Sequence, residues 1–404
     1  MGGVKSGGIW DVFMTALKLG LTSFGGPVAH VGYFRQEYVM RKKWLDDRTF
    51  ADLTALCQFL PGPASSQLGM AIGMRRAGIV GALAGWLGFT LPSALLMALF
   101  AIWLGAAGAD VGDAGWLHGL KLVAVAVVAQ AVWSMGRTLA PDRPRAALAF
   151  SAACWAVLVP GPAGQLVPLV LCALAGLALL KPVVAEEEKP SPDERQPLKR
   201  RTALALFAVF LALLALLPAA ARQYPDSTAL ALADSHYRAG SLVFGGGHVV
   251  LPMLEGEIVD RGVSGITADT MMAGYGAVQA MPGPLFSIAA FIGGVSAPGW
   301  NGALLAALAL TAIFIPSFLL LAGAMPFWNA LRGDRRVRGA LNGVNAGVVG
   351  LLLAALYDPV WTGTVRTATD FAFVLGVFAF LHFWKQPPWL AVALSALIGR
   401  LLWP

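Results

Sequence analysis

Residues 24–30, FGGPVAH, and residues 244–250, FGGGHVV, set a run of glycines and a histidine inside apolar sequence. Residues 58–63, QFLPGP, and 279–284, QAMPGP, set a glutamine one turn ahead of a Pro-Gly-Pro. These types support one chemistry well, the binding of an anion without cationic side chains. A helix that restarts after such a break offers unpaired N–H donors and about half a positive charge at its first turn. Proline suits that turn because its missing N–H has no partner there, and glycine lets a ligand reach the backbone. The candidate ligand positions are therefore Phe24, Gly25, Gly26 and Pro27, with Pro61, Gly62 and Pro63, in the first pair of breaks. Phe244, Gly245, Gly246 and Gly247, with Pro282, Gly283 and Pro284, form the second pair. Ser65, Ser66 and Ser287 follow the tips as hydroxyl donors, and Gln58 and Gln279 precede them as amide donors. His30 and His248 flank the breaks but do not align, His30 facing Val250 and His248 facing Val28. Either imidazole could donate to an anion, carry a proton, or be held by local hydrogen bonds. The ligand class is a small oxyanion. The competing reading is purely structural, since glycine and proline are frequent in transmembrane helices.

Three further groups fit gating or coupling better than direct contact. Glu37 and Glu257 align at an offset of 220 residues. They lie about eleven residues, or ~16 Å along a helix, past the glycines, and are expected in salt bridges at a membrane edge. Arg35 is close in sequence to Glu37, but residues two apart do not face each other on a helix. Lys121 and its match Asn345 open an apolar run. Lys121 is expected to snorkel to the interface, with substrate attraction as the alternative.

The elements that position these residues follow from composition. The chain has 404 residues, 57% hydrophobic and 13% charged, with mean hydropathy +0.69. Soluble domains carry about 25% charged residues, and several apolar runs approach the ~20 residues that span a bilayer. This is the pattern of an all-α polytopic membrane protein. The net charge of +7 sits in short loops between apolar runs, which indicates membrane orientation and no nucleic-acid partner. Cys57, Cys154 and Cys172 all lie in apolar runs without metal-ligand spacing, so neither a metal nor a cofactor is expected. The first residues, MGGVKSGGIWDVF, do not read as a signal peptide.

The breaks recur because the chain is duplicated. Phe24-Gly25-Gly26 matches Phe244-Gly245-Gly246 at an offset of 220, and Pro61-Gly62-Pro63 matches Pro282-Gly283-Pro284 at 221. LPSALLM from Leu91 matches IPSFLLL from Ile315 at 224. The reading is a first repeat over 1–181, a charged cytoplasmic linker over 182–201, an extra transmembrane helix over 202–221, and a second repeat over 222–404. Loop charge swaps between the repeats. Residues 32–48 carry Arg35, Arg41, Lys42, Lys43 and Arg48, whereas 254–268 carry only Arg261 among Glu255, Glu257 and Asp260. Residues 105–116 have no Lys or Arg, whereas their counterparts include Arg332, Arg335, Arg336 and Arg338. Matching loops thus face opposite sides, the mark of inverted-topology repeats. Arg75 and Arg76 after the first Pro-Gly-Pro are basic like 32–48, so that segment starts and ends on one side. Four broken segments then read as re-entrant helical hairpins beside about nine crossings. The alternative is that each broken segment crosses fully.

The stretches SFGGPVAHVGYFRQEYV, WLDDRTFADLTALCQFLPGPASSQLGMAIG and FGGGHVVLPMLEGEIV resemble signatures of the CHR family of chromate transporters, long-chain two-domain type. The resemblance implies efflux of chromate across the bacterial inner membrane, chromate resistance, a link to the proton-motive force, and sulfate as competitor. It implies importance for the Gly-Gly-Pro and Pro-Gly-Pro positions, with Gly247 standing where the first repeat has Pro27. The expected function is a secondary transporter exporting an oxyanion by alternating access. A sulfate carrier and a passive anion channel are the alternatives, and an intramembrane lipid-phosphate phosphatase is a remote one. A homodimer is common among inverted-repeat transporters, though no patch in the sequence marks an interface.

Overall fold

The computed structural model describes residues 8–107, 114–159, 162–180, 199–244, 247–259, 261–328 and 334–403. Gly245, Gly246, Asp260, Arg332 and residues 182–198 of the charged linker lie outside them. Among the described residues there is no strand.

Helix α1 (Ile9–Thr22) stops where the sequence places its first break. Gly25 and Gly26 take φ of +94° and +75°, a region that favours glycine. Helix α2 (Gly26–Phe34) restarts there and runs into a wider π turn, Arg35–Arg41. Lys42 at its far end meets Asp11 near the start of α1 at 2.9 Å. The segment has folded back, and both its ends lie together.

Helix α3 (Asp47–Phe59) is N-capped by Asp46, whose carboxylate accepts from the Thr49 amide at 2.7 Å. It breaks over Leu60–Pro63, and α4 (Ala64–Ala107) begins. Within α4 the helical backbone is interrupted at Ala77 and Gly78, and the chain reverses. Gly73 lies against the Gly81 backbone and Gly69 against Gly85, so 64–76 and 79–107 pair antiparallel. Arg76 stacks over Trp44 at 4.7 Å, beside Lys42 at 5.6 Å. The second broken segment thereby also returns to the end it started from, called here the basic end.

Helices α5 (Gly115–Leu139), α6 (Arg143–Leu158), α7 (Pro162–Leu179) and α8 (Arg200–Gln223) follow. The second repeat then runs α9 (Thr228–Leu242), α10 (Val250–Ile258), α11 (Ala268–Val278), α12 (Ile288–Val295) and α13 (Gly299–Ala324). It closes with α14 (Arg335–Ala355), α15 (Ala368–His382) and α16 (Pro388–Leu402). Here α12 and α13 reverse at Gly299, bringing Gly293 onto the backbone of Leu305 and Ala306.

Five helices are long and apolar enough to cross a membrane: 64–106, 115–139, 200–223, 299–327 and 335–364. Helix α8, which has no counterpart in the first repeat, buries only Ala203 and shows apolar side chains almost all round. Such a surface suits lipid and not water. Trp10, Trp103, Trp300 and Trp384 are exposed close to helix ends, where tryptophan anchors at an interface. The protein is an all-α, multi-pass membrane protein.

The two repeats exchange partners. Helices α6 and α7 of the first pack on α14 of the second, while α15 and α16 of the second pack on α5 of the first. Small residues permit both approaches. Gly115 and Gly119 sit against Gly399, and Gly339 and Gly343 sit against Gly176. In lipid, close van der Waals packing of this kind is what holds helices together, because the hydrophobic effect gives little between them.

Candidate functional site

All four breaks meet in the middle of the molecule, and they bond across the repeats. The amide of Gly62 donates to the carbonyl of Val243 at 2.6 Å, and the amide of Gly283 donates to the carbonyl of Ser23 at 2.9 Å. Ser23 and Val243 are the residues that open the two glycine breaks, at matching positions of the repeats. Each Pro-Gly-Pro tip is therefore held by the glycine break of the other half. A helical serine backs each contact. Ser317 lies against Gly62, and Ser93 lies 3.0 Å from where a Cβ on Gly283 would fall. Ser93 and Ser317 follow the prolines of LPSALLM and IPSFLLL, 224 residues apart.

This changes which donors face a ligand. The Gly62 and Gly283 amides are engaged by backbone carbonyls. The first amide of α4 with a helical acceptor is that of Gln67, bonded to Pro63 at 2.9 Å. The earlier ones, of Ala64, Ser65 and Ser66, belong to the uncapped first turn. In the second repeat both restarts begin as 3-10 turns, Gly247–Val249 and Leu285–Ser287, so the two halves are not equivalent. Pro27 does stand in the first turn of α2, and Pro284 immediately precedes Leu285.

The side chains sort as follows. His30 is buried, its Nδ1 is 3.2 Å from Ser65 Oγ, and its ring meets the edge of Phe89 at 5.2 Å. His248 has an equivalent partner in its own half, with Nδ1 2.8 Å from the Tyr275 hydroxyl. The two histidines do not align, yet each joins a glycine break to the following broken segment. Ser287 donates to the Pro284 carbonyl at 2.7 Å, which leaves it no free proton for a ligand. Gln58 is exposed on the wall of a cavity, while Gln279 is buried. Phe24 packs toward Trp389, and Phe244 is half-buried.

Around these contacts several buried polar atoms have no hydrogen-bond partner among the described residues. They are the hydroxyls of Ser23, Ser66, Thr90 and Ser317, His30 Nε2, Gln67 Oε1 and Gln279 Nε2. Such groups cost about 1–3 kcal/mol each when left unmade. Their concentration at the meeting point of the breaks marks a place where a ligand or water completes the bonding. A cavity of about 400 Å³ reaches this centre from the basic end, lined by Gln58, Gly62, Ser134, Thr138 and Asn345 among apolar groups.

The aligned glutamates lie in ion-pair clusters away from the centre. Glu37 is bonded by Lys18 at 2.7 Å and Arg41 at 3.3 Å. Glu257 is bonded by Arg238 and by Arg261 at 3.0 Å. Lys18 and Arg238, and likewise Arg41 and Arg261, are 220 residues apart, so the whole triad is duplicated. The second copy adds Asp234, which both arginines also contact, at a position occupied by Met14 in the first. Arg35 takes no part and pairs with Asp47 at 2.7 Å. Lys121 does not snorkel; its side chain is 11% exposed and meets Asp269 at 3.2 Å. The offset of 220 could have exposed Lys18 and Arg238 in the sequence. The carbonyls of Ser23 and Val243 could not be found that way, because backbone contacts leave no side-chain signature.

The family model for the chromate transporter matches residues 10–179 and again 230–400, covering both copies of this arrangement. The chain belongs to the chromate transporter family. It is 31% identical to the chromate transport protein of Pseudomonas aeruginosa over 98% of this chain and 92% of that protein. It is 27% identical to an uncharacterized transporter of Methanocaldococcus jannaschii, over 96% of this chain and 92% of that one. A chromate transport protein of Cupriavidus metallidurans is 26% identical over 98% of this chain and 93% of its own length. No solved structure matches. Members of the chromate transporter family are transporters and not enzymes. In this member the paired breaks fall at the centre of each matched region.

Proposed function

We propose that the protein is a secondary transporter that carries chromate out of the cell across the inner membrane, giving resistance, with sulfate as competitor. The observation that carries the reading is the reciprocal bonding of the breaks, Gly62 to Val243 and Gly283 to Ser23, amid orphaned hydroxyl and imidazole groups. The four broken segments then act as re-entrant hairpins entering from opposite faces of two inverted repeats. The anion sits between their tips, held by the first-turn amides of α4, Ser66 and His30. Non-helical backbone at membrane depth is tolerated where it lines such a site.

Alternating access follows from the interlocked halves. The cavity that reaches Gly62 from the basic end fits a state open to the cytoplasm. The membrane potential itself favours export, at ~2.3 kcal/mol per charge per 100 mV, so a dianion leaves a negative interior without obligatory proton coupling.

The test is flux through the purified protein in liposomes, with chromate, sulfate and the pH gradient varied independently. Saturable chromate flux, inhibited by sulfate and abolished in Gly62→Leu and Pro63→Leu, is expected. Normal transport by those variants, correctly folded, would remove the central site. Unitary conductance in a bilayer recording would replace the carrier by a channel.

A further inference from the structure

A smaller cavity of about 170 Å³ opens at the other end, between the first turns of α5 and α11. Its walls include His118, Lys121, Asp269, Thr364, Arg366 and Trp403. Lys121 is held there by Asp269, which is itself half-exposed, and His118 Nε2 lies 2.9 Å from Asp370. The Thr364 hydroxyl is buried and has no hydrogen-bond partner among the described residues. We propose that this cavity is a second site for a small oxyanion, entered from the end opposite the basic one, where the anion pairs with Lys121 and Thr364 and displaces Asp269.

The chemistry favours exchange. Lys121 has lost most of its water and is held by a single carboxylate that remains half in solvent. Replacing Asp269 by a free anion trades one charge-assisted bond for another and gives Thr364 the partner it lacks. Arg366, exposed at the rim, adds long-range attraction. The Asp269 and Asp370 carboxylates oppose entry, which restricts the site to anions able to compete with a carboxylate.

The repeat makes the site one-sided. At the offset of 224, His118, Lys121 and Arg366 correspond to Asn342, Asn345 and Asp142. The cavity at the basic end, which Asn345 lines, thus has no cation at the matching position. The two faces would differ in anion affinity through these three pairs. Displacing Asp269 also frees the first turn of α11, whose Gly276 packs on the Leu120 backbone next to Lys121. The role of this site rests on the transport reading, but its existence does not.

Equilibrium binding of radiolabelled sulfate to the purified full chain tests the proposal. Two classes of site are expected in the unaltered protein. Lys121→Gln should weaken one class about tenfold, the loss of one charge-assisted bond, and Asp269→Asn should tighten that same class. Gly62→Leu should remove the other class only. If neither Lys121→Gln nor Asp269→Asn moves any affinity, the second site does not exist. If Lys121→Gln fails to fold, Asp269→Asn decides alone: a tighter class supports the site and unchanged binding overturns it. Loss of flux in Gly62→Leu with unchanged sulfate binding in both vestibule variants would keep the central reading and discard this one. Retained flux in Gly62→Leu with altered binding in the vestibule variants would do the reverse.

Discussion

The amide of Gly62 is bonded to the carbonyl of Val243, so a tip of the first repeat is fixed by a break in the second. Gly62 has φ of +117°, and a Cβ there would overlap the Ser317 hydroxyl and approach Gln67 Nε2 at 2.9 Å. Gly26 has a positive φ too, but open space beside it. Gly62→Ala should therefore reduce flux at least tenfold, whereas Gly26→Ala should carry only backbone strain of about 1–2 kcal/mol. Flux per folded molecule, with folding checked by size-exclusion profile, distinguishes the two. Equal effects would mean that the Ser317 contact is unimportant.

The duplicated glutamates should not respond equally. Glu37→Gln leaves Lys18 and Arg41 without their shared carboxylate, while Glu257→Gln leaves Arg238 and Arg261 still paired with Asp234. The first substitution should cost about 1–3 kcal/mol, the penalty for stranding a buried partner, and the second less. Thermal unfolding in detergent would show the order. A larger drop for Glu257→Gln would contradict the compensation assigned to Asp234.

Return of the broken segments to their starting end can be read with thiols. Cys154 is exposed, so Cys154→Ser provides the background. Cysteines placed by Lys43→Cys and Arg75→Cys should react with an impermeant reagent from one face, and Ser264→Cys from the other. Labelling of positions 43 and 75 from opposite faces would mean that residues 47–76 cross the membrane fully.

Asp46 ties stability to pH at the basic end. The bond from the Thr49 amide holds its carboxyl below the ordinary value. A depressed carboxyl contributes stability above its unfolded value, and that contribution is lost as pH falls through the folded one. Melting temperature should therefore fall as pH drops below about 4. Asp46→Ala should cost about 0.5–2 kcal/mol near neutrality and flatten that acid limb. An acid limb identical in both proteins would show that the cap is not a source of it.

Much of the fold was legible because a bilayer imposes strong constraints. The apolar runs expected at 78–104, 117–136 and 301–326 lie within helices at 64–107, 115–139 and 299–324. The breaks fall where Gly-Gly and Pro-Gly-Pro stand, since those residues disfavour helix by their own backbone chemistry. What could not be read was which residues touch. Gly62 was legible as a donor, but its acceptor is a main-chain carbonyl at Val243, and nothing in a valine announces that. Lys121 read as a snorkelling lysine because its partner, Asp269, lies in the other repeat. Ser287 read as free, and only the 3-10 turn explains why its proton goes to Pro284.

The exchange of helices between the repeats sets an order in time. Helix α5 finds its partners in α15 and α16, which the ribosome makes last, and α6 and α7 wait for α14. The Gly62 tip likewise has no acceptor until Val243 has been synthesised. The first repeat must therefore sit in the membrane unfinished, with glycine-lined helix faces and unbonded backbone open to lipid, until the second arrives. Contacts this distant along the chain form slowly. Maturation of the whole molecule is then a single late step, and truncation anywhere before the last helix strands both halves.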